Sequence, residues 1–456
     1  MRQISSFLAT LCLAACAAAP LPRLDPSVPA TWQHTVGGAP AQADLKGWWT
    51  AFGDPELDAR IEAALHGNAG LQQAAERLLA ARTLRAHSQD AYLPFVRAHA
   101  GDEIAPAATA SYIVSSFDAS WEFGLFGRRE ATRRGLQGAL DEAEAQFEGA
   151  RVSLVAEVVA DHLLLGATQE RLMALEQNQA LRARRAQLLT VRRELGLSSA
   201  TDVDDGALEL GKARAALAEA RRQRDSAAQQ LSALMGMPAP QPEWLEGRRL
   251  PDLQALPPRA APADLLRTRP EIRRAEALVL QAAGERDLSR SDQWPNVGLV
   301  GSLQWSTSIA RNHRPSSTNY IGAFGPLVDI PLFDWGLRRA RTTARSHLLN
   351  AAVHAYRDSV LRGVSEAEDA FGSLQAANER VAQARSGLSL RERAVEAARR
   401  RSALGIGSEL DALAPGLAVT EARLELVDAR AAQGLAYVAL YKALGGAALP
   451  ADGGAH

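Results

Sequence analysis

Cysteine is almost missing from this 456-residue chain, and the two that occur, Cys12 and Cys16, both fall within the first sixteen residues. The body of the protein therefore holds no disulfide. Neither sign of charge dominates, with 51 Lys and Arg against 52 Asp and Glu, which argues against nucleic acid as a partner. Aromatics are scarce at 5%, while Ala, Leu, Arg, Glu and Gln prevail, a composition of long helices rather than of one compact core. Proline is absent from 128–195 and from 337–404, so nothing in either stretch interrupts a helix. A long uncharged run is lacking too: residues 128–195 carry 21 charged side chains, and their longest uncharged run, His162 to Gln169, is eight residues. Such a helix cannot cross a bilayer, which takes about 20 apolar residues. It must be solvated on one side and packed on the other.

Catalytic and metal-binding patterns are also wanting. The nine histidines are scattered without H-E-x-x-H, and no cysteine stands near them to share a metal. His347 and His354, seven apart, read as a packed or solvated pair, and Glu142, Glu144 and Glu148 as a solvated helix face. Gly206 to Lys212 fits G-x-x-x-x-G-K by count, but Ala213 stands where Ser or Thr is required and no strand precedes it. No catalytic residue, cofactor or metal is expected, and the chain does not read as an enzyme.

What the chain does have is a tandem duplication. Gly127 recurs as Gly336, Gly196 as Gly405, Asp202 as Asp411 and Gly236 as Gly445, each 209 residues on. Upstream the offset is 201, with Leu71 meeting Ile272, Ala74 meeting Ala275 and Pro94 meeting Pro295. An offset that holds over some 110 residues marks two copies of one supersecondary unit. In each copy a helix leads to an alternating segment, and the spacing turns helical again at a glycine, Gly127 or Gly336. Polar and apolar residues alternate best in 112–123, with Ile113, Phe117, Ala119 and Trp121 on one face and Ser116, Asp118, Ser120 and Glu122 on the other. Val96, Ala98 and Ala100 alternate with Arg97 and His99, and Val297, Leu299, Leu303 and Trp305 with Asn296, Ser302, Gln304 and Ser306; Tyr320 to Ile330 is less regular. This predicts four strands. Four cannot close a barrel, for which about eight is the minimum, whereas three chains would supply twelve. Apolar-out, polar-in alternation with aromatics on the apolar face suits a membrane barrel.

The helices expected over 128–195 and 337–404 would each reach roughly 100 Å. Turns follow at Gly196-Leu197-Ser198-Ser199 and Gly405-Ile406-Gly407-Ser408, and then half-length helices over 200–236 and 408–445. Each turn has the form of a glycine stop, a serine N-cap and an acid three residues later, Asp202 or Asp411. A helix over 56–92, ended by Pro94, and another from about 264 to 293 would supply the remaining half-lengths.

At the N-terminus Arg2, the apolar stretch Ile4 to Leu13 and the small residues before Cys16 read as a secretory signal. Leu13-Ala14-Ala15-Cys16 resembles a bacterial lipobox, which implies a lipid on Cys16, and Ala17 in place of an acid implies sorting to the outer membrane. The run Trp48-Trp49-Thr50-Ala51-Phe52-Gly53-Asp54-Pro55-Glu56-Leu57, with the paired glycine corners and turns, resembles the outer-membrane efflux proteins of the TolC superfamily, in the lipoprotein branch of NodT and OprM type. The resemblance covers nearly the whole mature chain.

It implies a mainly α fold with a β-barrel portion: tandem-duplicated long helical hairpins forming a trimeric α-barrel, and four strands per chain contributing to a 12-stranded transmembrane β-barrel. The expected division is a signal peptide over 1–15, an anchor and extended arm over 16–46, and a first repeat over 47–237 with its β-hairpin at 94–124. A Pro-rich equatorial connector over 238–262, a second repeat over 263–446 with its hairpin at 295–331, and a loose tail over 447–456 complete it. The implied role is an outer-membrane exit duct of a tripartite efflux system, working with a periplasmic membrane-fusion adaptor and an inner-membrane efflux pump. The implied location is the outer membrane, embedded in outer-membrane lipid as a homotrimer with a periplasmic extension.

By the same resemblance Gly196, Ser199, Asp202, Gly405 and Ser408 mark the periplasmic tip where the adaptor docks. Leu410, Asp411 and Leu413 are candidates for the gate, with Asp411 either replacing the family's usual acidic constriction or serving only as a helix cap. Arg399, Arg400 and Arg401 would offset the three Asp411 carboxylates. Two departures from the family pattern matter. Gly124 stands where the family usually has an acid, and Ala414-Pro415-Gly416 replaces an acid, Ala and Gln, so Pro415 is expected to disfavour helix at Ala414. The rival reading is a non-channel periplasmic coiled-coil lipoprotein acting as adaptor or scaffold, without spanning strands.

Overall fold

The structure is a computed structural model whose described residues are 20–24, 28–33, 47–103, 112–246, 249–254, 269–308 and 319–446. Cys16, the signal segment, much of the connector and the tail 447–456 lie outside them. In chain order the elements are α1 (Pro55–Gly67), α2 (Ala69–Ala86), β1 (Phe95–Glu103), β2 (Tyr112–Glu122), α3 (Arg128–Glu194), α4 (Ala200–Leu234), α5 (Pro270–Ser291), β3 (Asn296–Ser308), β4 (Asn319–Asp329), α6 (Leu337–Ala403) and α7 (Glu409–Ala443). The chain is thus mainly helical with a four-stranded portion. Both proline-free stretches form helices of 67 residues, and each is followed by one of 35.

Two expectations need correction. The single helix foreseen over 56–92 is two helices and a 3-10 turn, Asp90–Tyr92. It breaks at Asn68, whose backbone is extended. There the side-chain amide donates to Leu234 O at 2.9 Å, while its oxygen accepts from Leu71 N and so starts α2. Nor does Pro415 interrupt α7, which runs through it. Its fixed φ is helical, and the cost of the lost bond and of the ring's crowding against the carbonyl four residues back is offset by the burial of Leu413 and Leu417 on the flanking turns.

The described residues form two compact units. The first is built chiefly from Glu76–Ala145 and Glu271–Ser359, and the second from Ser27–Ala75, Gln146–Pro270 and Val360–His456. In the first unit the strands form one antiparallel sheet in the order β1-β2-β3-β4. The register pairs Ala98 with Phe117, Phe117 with Leu303, and Leu303 with Gly322. Helix α5 lies against the start of α3 with no room for side chains between the backbones. A Cβ on Gly284 would fall 2.4 Å from Gly135 N, and one on Gly138 2.5 Å from Gln281 N. The nearly buried carboxylate of Asp287 joins this contact to Arg134 and Arg286.

The second unit has the larger core. Leu57, Ile61, Val155, Val158, Val159, Leu163, Leu231 and Leu440 are all at most 2% exposed. Trp48 stacks on Tyr441 at 5.0 Å between centroids, and Phe52 meets Tyr437 edge-on at 5.7 Å. Hence the Trp48 to Leu57 run is a packing motif. Its Asp54 carboxylate caps α1 by accepting from Glu56 N at 3.0 Å, and Gly434 lets α7 close on Leu163.

Candidate functional site

The sheet separates its two faces by chemistry. Val96, Ala98, Phe117, Ala119, Trp121, Leu299, Leu303, Trp305, Phe324 and Val328 share one face through the strand register. Several are open: Val96 is 64% exposed, Phe117 50% and Phe324 82%. Phe117 and Trp305 pack edge to face at 5.5 Å, and Trp121 Nε1 donates to Tyr92 O at 2.9 Å. On the other face Asp118 accepts from Ser302 Oγ at 2.7 Å and from Ser116 Oγ at 2.9 Å, with Arg97, His99 and Gln304 nearby in register. Strand β4 breaks the alternation, since Ile321 and Leu327 on the polar side are exposed as well. No helix among the described residues is long and apolar enough to cross a membrane. An apolar face of this kind, displayed to solvent, calls for lipid.

Both strand-to-helix corners are left-handed at two successive residues. Phe126 (φ 55°) precedes Gly127 (φ 81°), and Trp335 (φ 54°) precedes Gly336 (φ 83°). The glycines were legible as duplicated corners. The strained aromatics were not, because nothing local marks a bulky residue for positive φ. The corners are fastened differently. At the second, Asp334 accepts from Gly336 N at 3.0 Å and from Arg338 N at 2.9 Å, and the Arg338 N–H chiefly holds its carboxyl below the usual carboxylate range. At the first, an acid in place of Gly124 is excluded, because a Cβ there would fall 2.6 Å from both Tyr92 Cδ1 and Arg129 Cγ. Instead Arg128 pairs with Glu122 at 2.8 Å and with Asp292, and Arg129 Nη2 donates to Tyr92 O at 3.0 Å.

The helical turns of the second unit repeat one design. At the first, Leu197 N donates to Arg192 O at 2.7 Å and Gly196 N to Arg193 O at 2.9 Å, the double bond pattern of a helix ended by a left-handed glycine. At the second, Ile406 N donates to Arg401 O and Gly405 N to Ser402 O, both at 3.0 Å. Each is followed by a reciprocal cap. Asp202 accepts from Ser199 N at 2.8 Å, and Asp411 accepts from Ser408 N at 3.1 Å and from Ser408 Oγ at 2.7 Å. The Ser408 bonds lower the Asp411 pKa; Arg192 and Arg401 add to this electrostatically. Arg192 of the first turn therefore acts beside Arg401, while Arg400 pairs with Glu396 at 3.3 Å.

Of the gate candidates Asp411 is exposed, Leu410 half-buried and Leu413 buried. Sequence reading missed the ties between the hairpins above these turns. Arg184 makes a two-pronged pair with Glu409, Nε to Oε1 at 2.7 Å and Nη2 to Oε2 at 2.8 Å. Arg182 donates to Asn178 Oδ1 at 2.8 Å and Glu209 Oε2 at 2.6 Å, and reaches Glu421 at 3.4 Å. Asn178 in turn donates to buried Thr420 at 2.7 Å. The partners lie up to 242 residues apart, beyond any local pattern. Among the described residues no group of three or more His, Cys, Asp or Glu is placed to hold a metal.

The profile of the family described as "Outer membrane efflux protein" matches residues 60–237 and 261–446. The chain is 27% identical over 472 residues to the pyoverdine export outer membrane protein OpmQ of Pseudomonas aeruginosa, across 98% of this chain and 97% of that one. It is 26% identical to the probable efflux pump outer membrane protein TtgC of Pseudomonas putida, across 92% and 90%. Among solved structures it is similar to the outer-membrane channel OprN, with a TM-score of 0.78 at 26% identity over 94% of this chain and 99% of that one. The open-state MtrE outer membrane channel of Neisseria gonorrhoeae gives a TM-score of 0.78 at 22% identity, covering 94% and 98%, a likeness of fold alone.

Proposed function

The chain belongs to the outer membrane efflux protein family, and on that footing we propose that it is the outer-membrane exit duct of a tripartite efflux system. It conducts substrate passively, without a catalytic step, from an inner-membrane pump and a periplasmic membrane-fusion adaptor to the exterior. The observation that carries this is the sheet, which exposes an apolar, aromatic-bearing face and ends in two strands, β1 and β4, with one neighbour each. Unpaired strand edges are not tolerated within a bilayer. Three copies joined β4 to β1 supply twelve strands and leave no edge, so the working form is a homotrimer embedded in outer-membrane lipid.

The turns at Gly196 to Asp202 and Gly405 to Asp411 form the periplasmic tip. Ser199 and Ser408 shape the surface on which the adaptor docks, and Leu410 and Asp411, backed by Leu413, form the gate. Detergent-purified protein is expected to have three times the chain mass and to conduct ions across a planar bilayer. A stable water-soluble monomer without conductance would return the chain to the scaffold reading.

Cys16 is the lipid anchor. Cys16→Ser is expected to abolish palmitate labelling and processing by the lipoprotein peptidase. Conductance is expected to persist, because a single anchor adds little to an embedded barrel. A wild-type mature protein that starts elsewhere and carries no lipid refutes the assignment.

A further inference from the structure

Inside one chain the end of the first copy packs against the start of the second, and each half of that junction recurs elsewhere on the chain with nothing over it. Strand β2 pairs with β3, with Trp121 opposite Leu299 and Ser120 opposite Val300, and the register runs on past the strand as Phe123 N donates to Val297 O at 3.1 Å. Below it Phe126 stacks on Trp294 at 5.6 Å between centroids, and Arg128 pairs with Asp292. The duplication gives each of these residues a counterpart, 209 residues on for the corner and 201 back for the approach to the strand. The backbone agrees at both ends. Trp335 repeats the left-handed φ of Phe126, 54° against 55°, and Leu93 N donates to Asp90 O at 3.0 Å as Trp294 N does to Ser291 O at 3.1 Å.

The counterparts lie open. Trp335 is 87% exposed, Leu332 88%, Leu337 52%, Leu93 54% and Val96 64%, and they border β4 and β1, the strands with one neighbour each. Resting on the trimer proposed above, we infer that these two surfaces cover one another between copies of this chain, in the register that β2 takes on β3. Strand β4 then runs along β1 of the next copy with Ile330 opposite Ala98 and Asp329 opposite His99. Leu332 N donates to Val96 O, and Trp335 lies on Leu93. Val328 falls opposite Ala100, so the apolar face continues across the seam, which a slip of one residue would break. The chemistry changes between the two junctions. Arg128 with Asp292 becomes Leu337 with Ala91, and Arg134 with Asp287 becomes Thr343 with Ala86. The seam between copies is therefore apolar where the junction within the chain is ionic. The glycine contact is not repeated, since Ala344 and His347 stand for Gly135 and Gly138, and Thr83 for Gly284. Helix α6 thus stands farther from α2 of the next copy than α3 does from α5.

The register is tested by cysteine cross-linking of the full-length, detergent-purified protein. The bond from Phe123 to Val297 makes that pair hydrogen-bonded, so by alternation Ser120 with Val300, and with them Asp329 with His99, form a non-hydrogen-bonded pair. Its Cα atoms lie about 4.5 Å apart, within reach of a disulfide. On oxidation with copper phenanthroline, Asp329→Cys with His99→Cys is expected to link chains into covalent dimers and trimers. Asp329→Cys with Arg97→Cys or with Gly101→Cys, each two residues out of register, is expected to give at least tenfold less, and the wild-type chain none. Leu337→Arg or Ala91→Asp alone is expected to lower the trimer fraction on dilution in detergent, and the two together to restore it in a form that salt weakens. Light scattering separates the failures. A trimer in which a shifted pair links as well, or in which no pair links, overturns the register while the trimer stands. A double variant no better than Leu337→Arg overturns the contact of Leu337 with Ala91, and a monomer removes the trimer and this inference with it.

Discussion

Single-channel conductance is expected to rise severalfold when Arg184→Ala and Glu409→Ala are combined, with trimer mass unchanged. The pair ties the start of α7 to α3 through two bonds, at 2.7 and 2.8 Å, and the Arg184 guanidinium holds the Glu409 carboxyl below its usual range. Both side chains are about half exposed, so the tie is weak singly and screened by salt. A gate needs that quality, because a latch that opens on contact with a partner cannot be strong. It follows that moving from 0.1 to 1 M salt, where the screening length falls from about 10 to about 3 Å, should open the wild-type channel more than the double variant. Asp411 must be tested apart from its cap. Ser408→Ala removes the cap serine, a loss of about 1 kcal/mol of the usual kind, but keeps the carboxylate. If charge at the constriction matters, Asp411→Ala raises conductance and Ser408→Ala does not. Equal behaviour of the two reduces Asp411 to a cap.

How much of this was legible depended on whether a feature repeats or is local. The glycines recurring at 209 residues are left-handed in both copies: Gly127 and Gly336, Gly196 and Gly405, Gly236 and Gly445. Duplication retained them where an L side chain is strained, so they stood out. Alternation in 112–123 located β2 because its faces meet different surroundings. In β4, with Ile321 and Phe324 both exposed on opposite faces, the pattern blurs. The break at Asn68 was hidden because it depends on a carbonyl, Leu234 O, 166 residues away. Pro415 misled because local propensity was overridden by the packing of the turns around it.

Two of the duplicated glycines should respond very differently to the same change. Gly196 and Gly236 have nearly equal backbone angles, φ 71° and 73°, so alanine meets the same left-handed strain at each, about 1–2 kcal/mol. Around Gly196 a Cβ would meet nothing within 4 Å, and Gly196→Ala is expected to cost no more than that strain. Around Gly236 a Cβ would fall 2.3 Å from Gly67 O. There the end of α1 crosses the end of α4, glycine against glycine. The obstacle is backbone rather than a flexible side chain, and Asn68 is bonded to Leu234 O beside it, so neither chain can withdraw without breaking that bond. Overpacking adds about 1–3 kcal/mol, so Gly236→Ala is expected to cost about 3 kcal/mol. Gly67→Ala, whose Cβ would fall 2.3 Å from Met235 O without left-handed strain, should lie between. Thermal denaturation of the three variants in detergent gives the order, with Gly236→Ala losing at least twice as much as Gly196→Ala. Equal losses would mean that the crossing of α1 and α4 is looser than these distances.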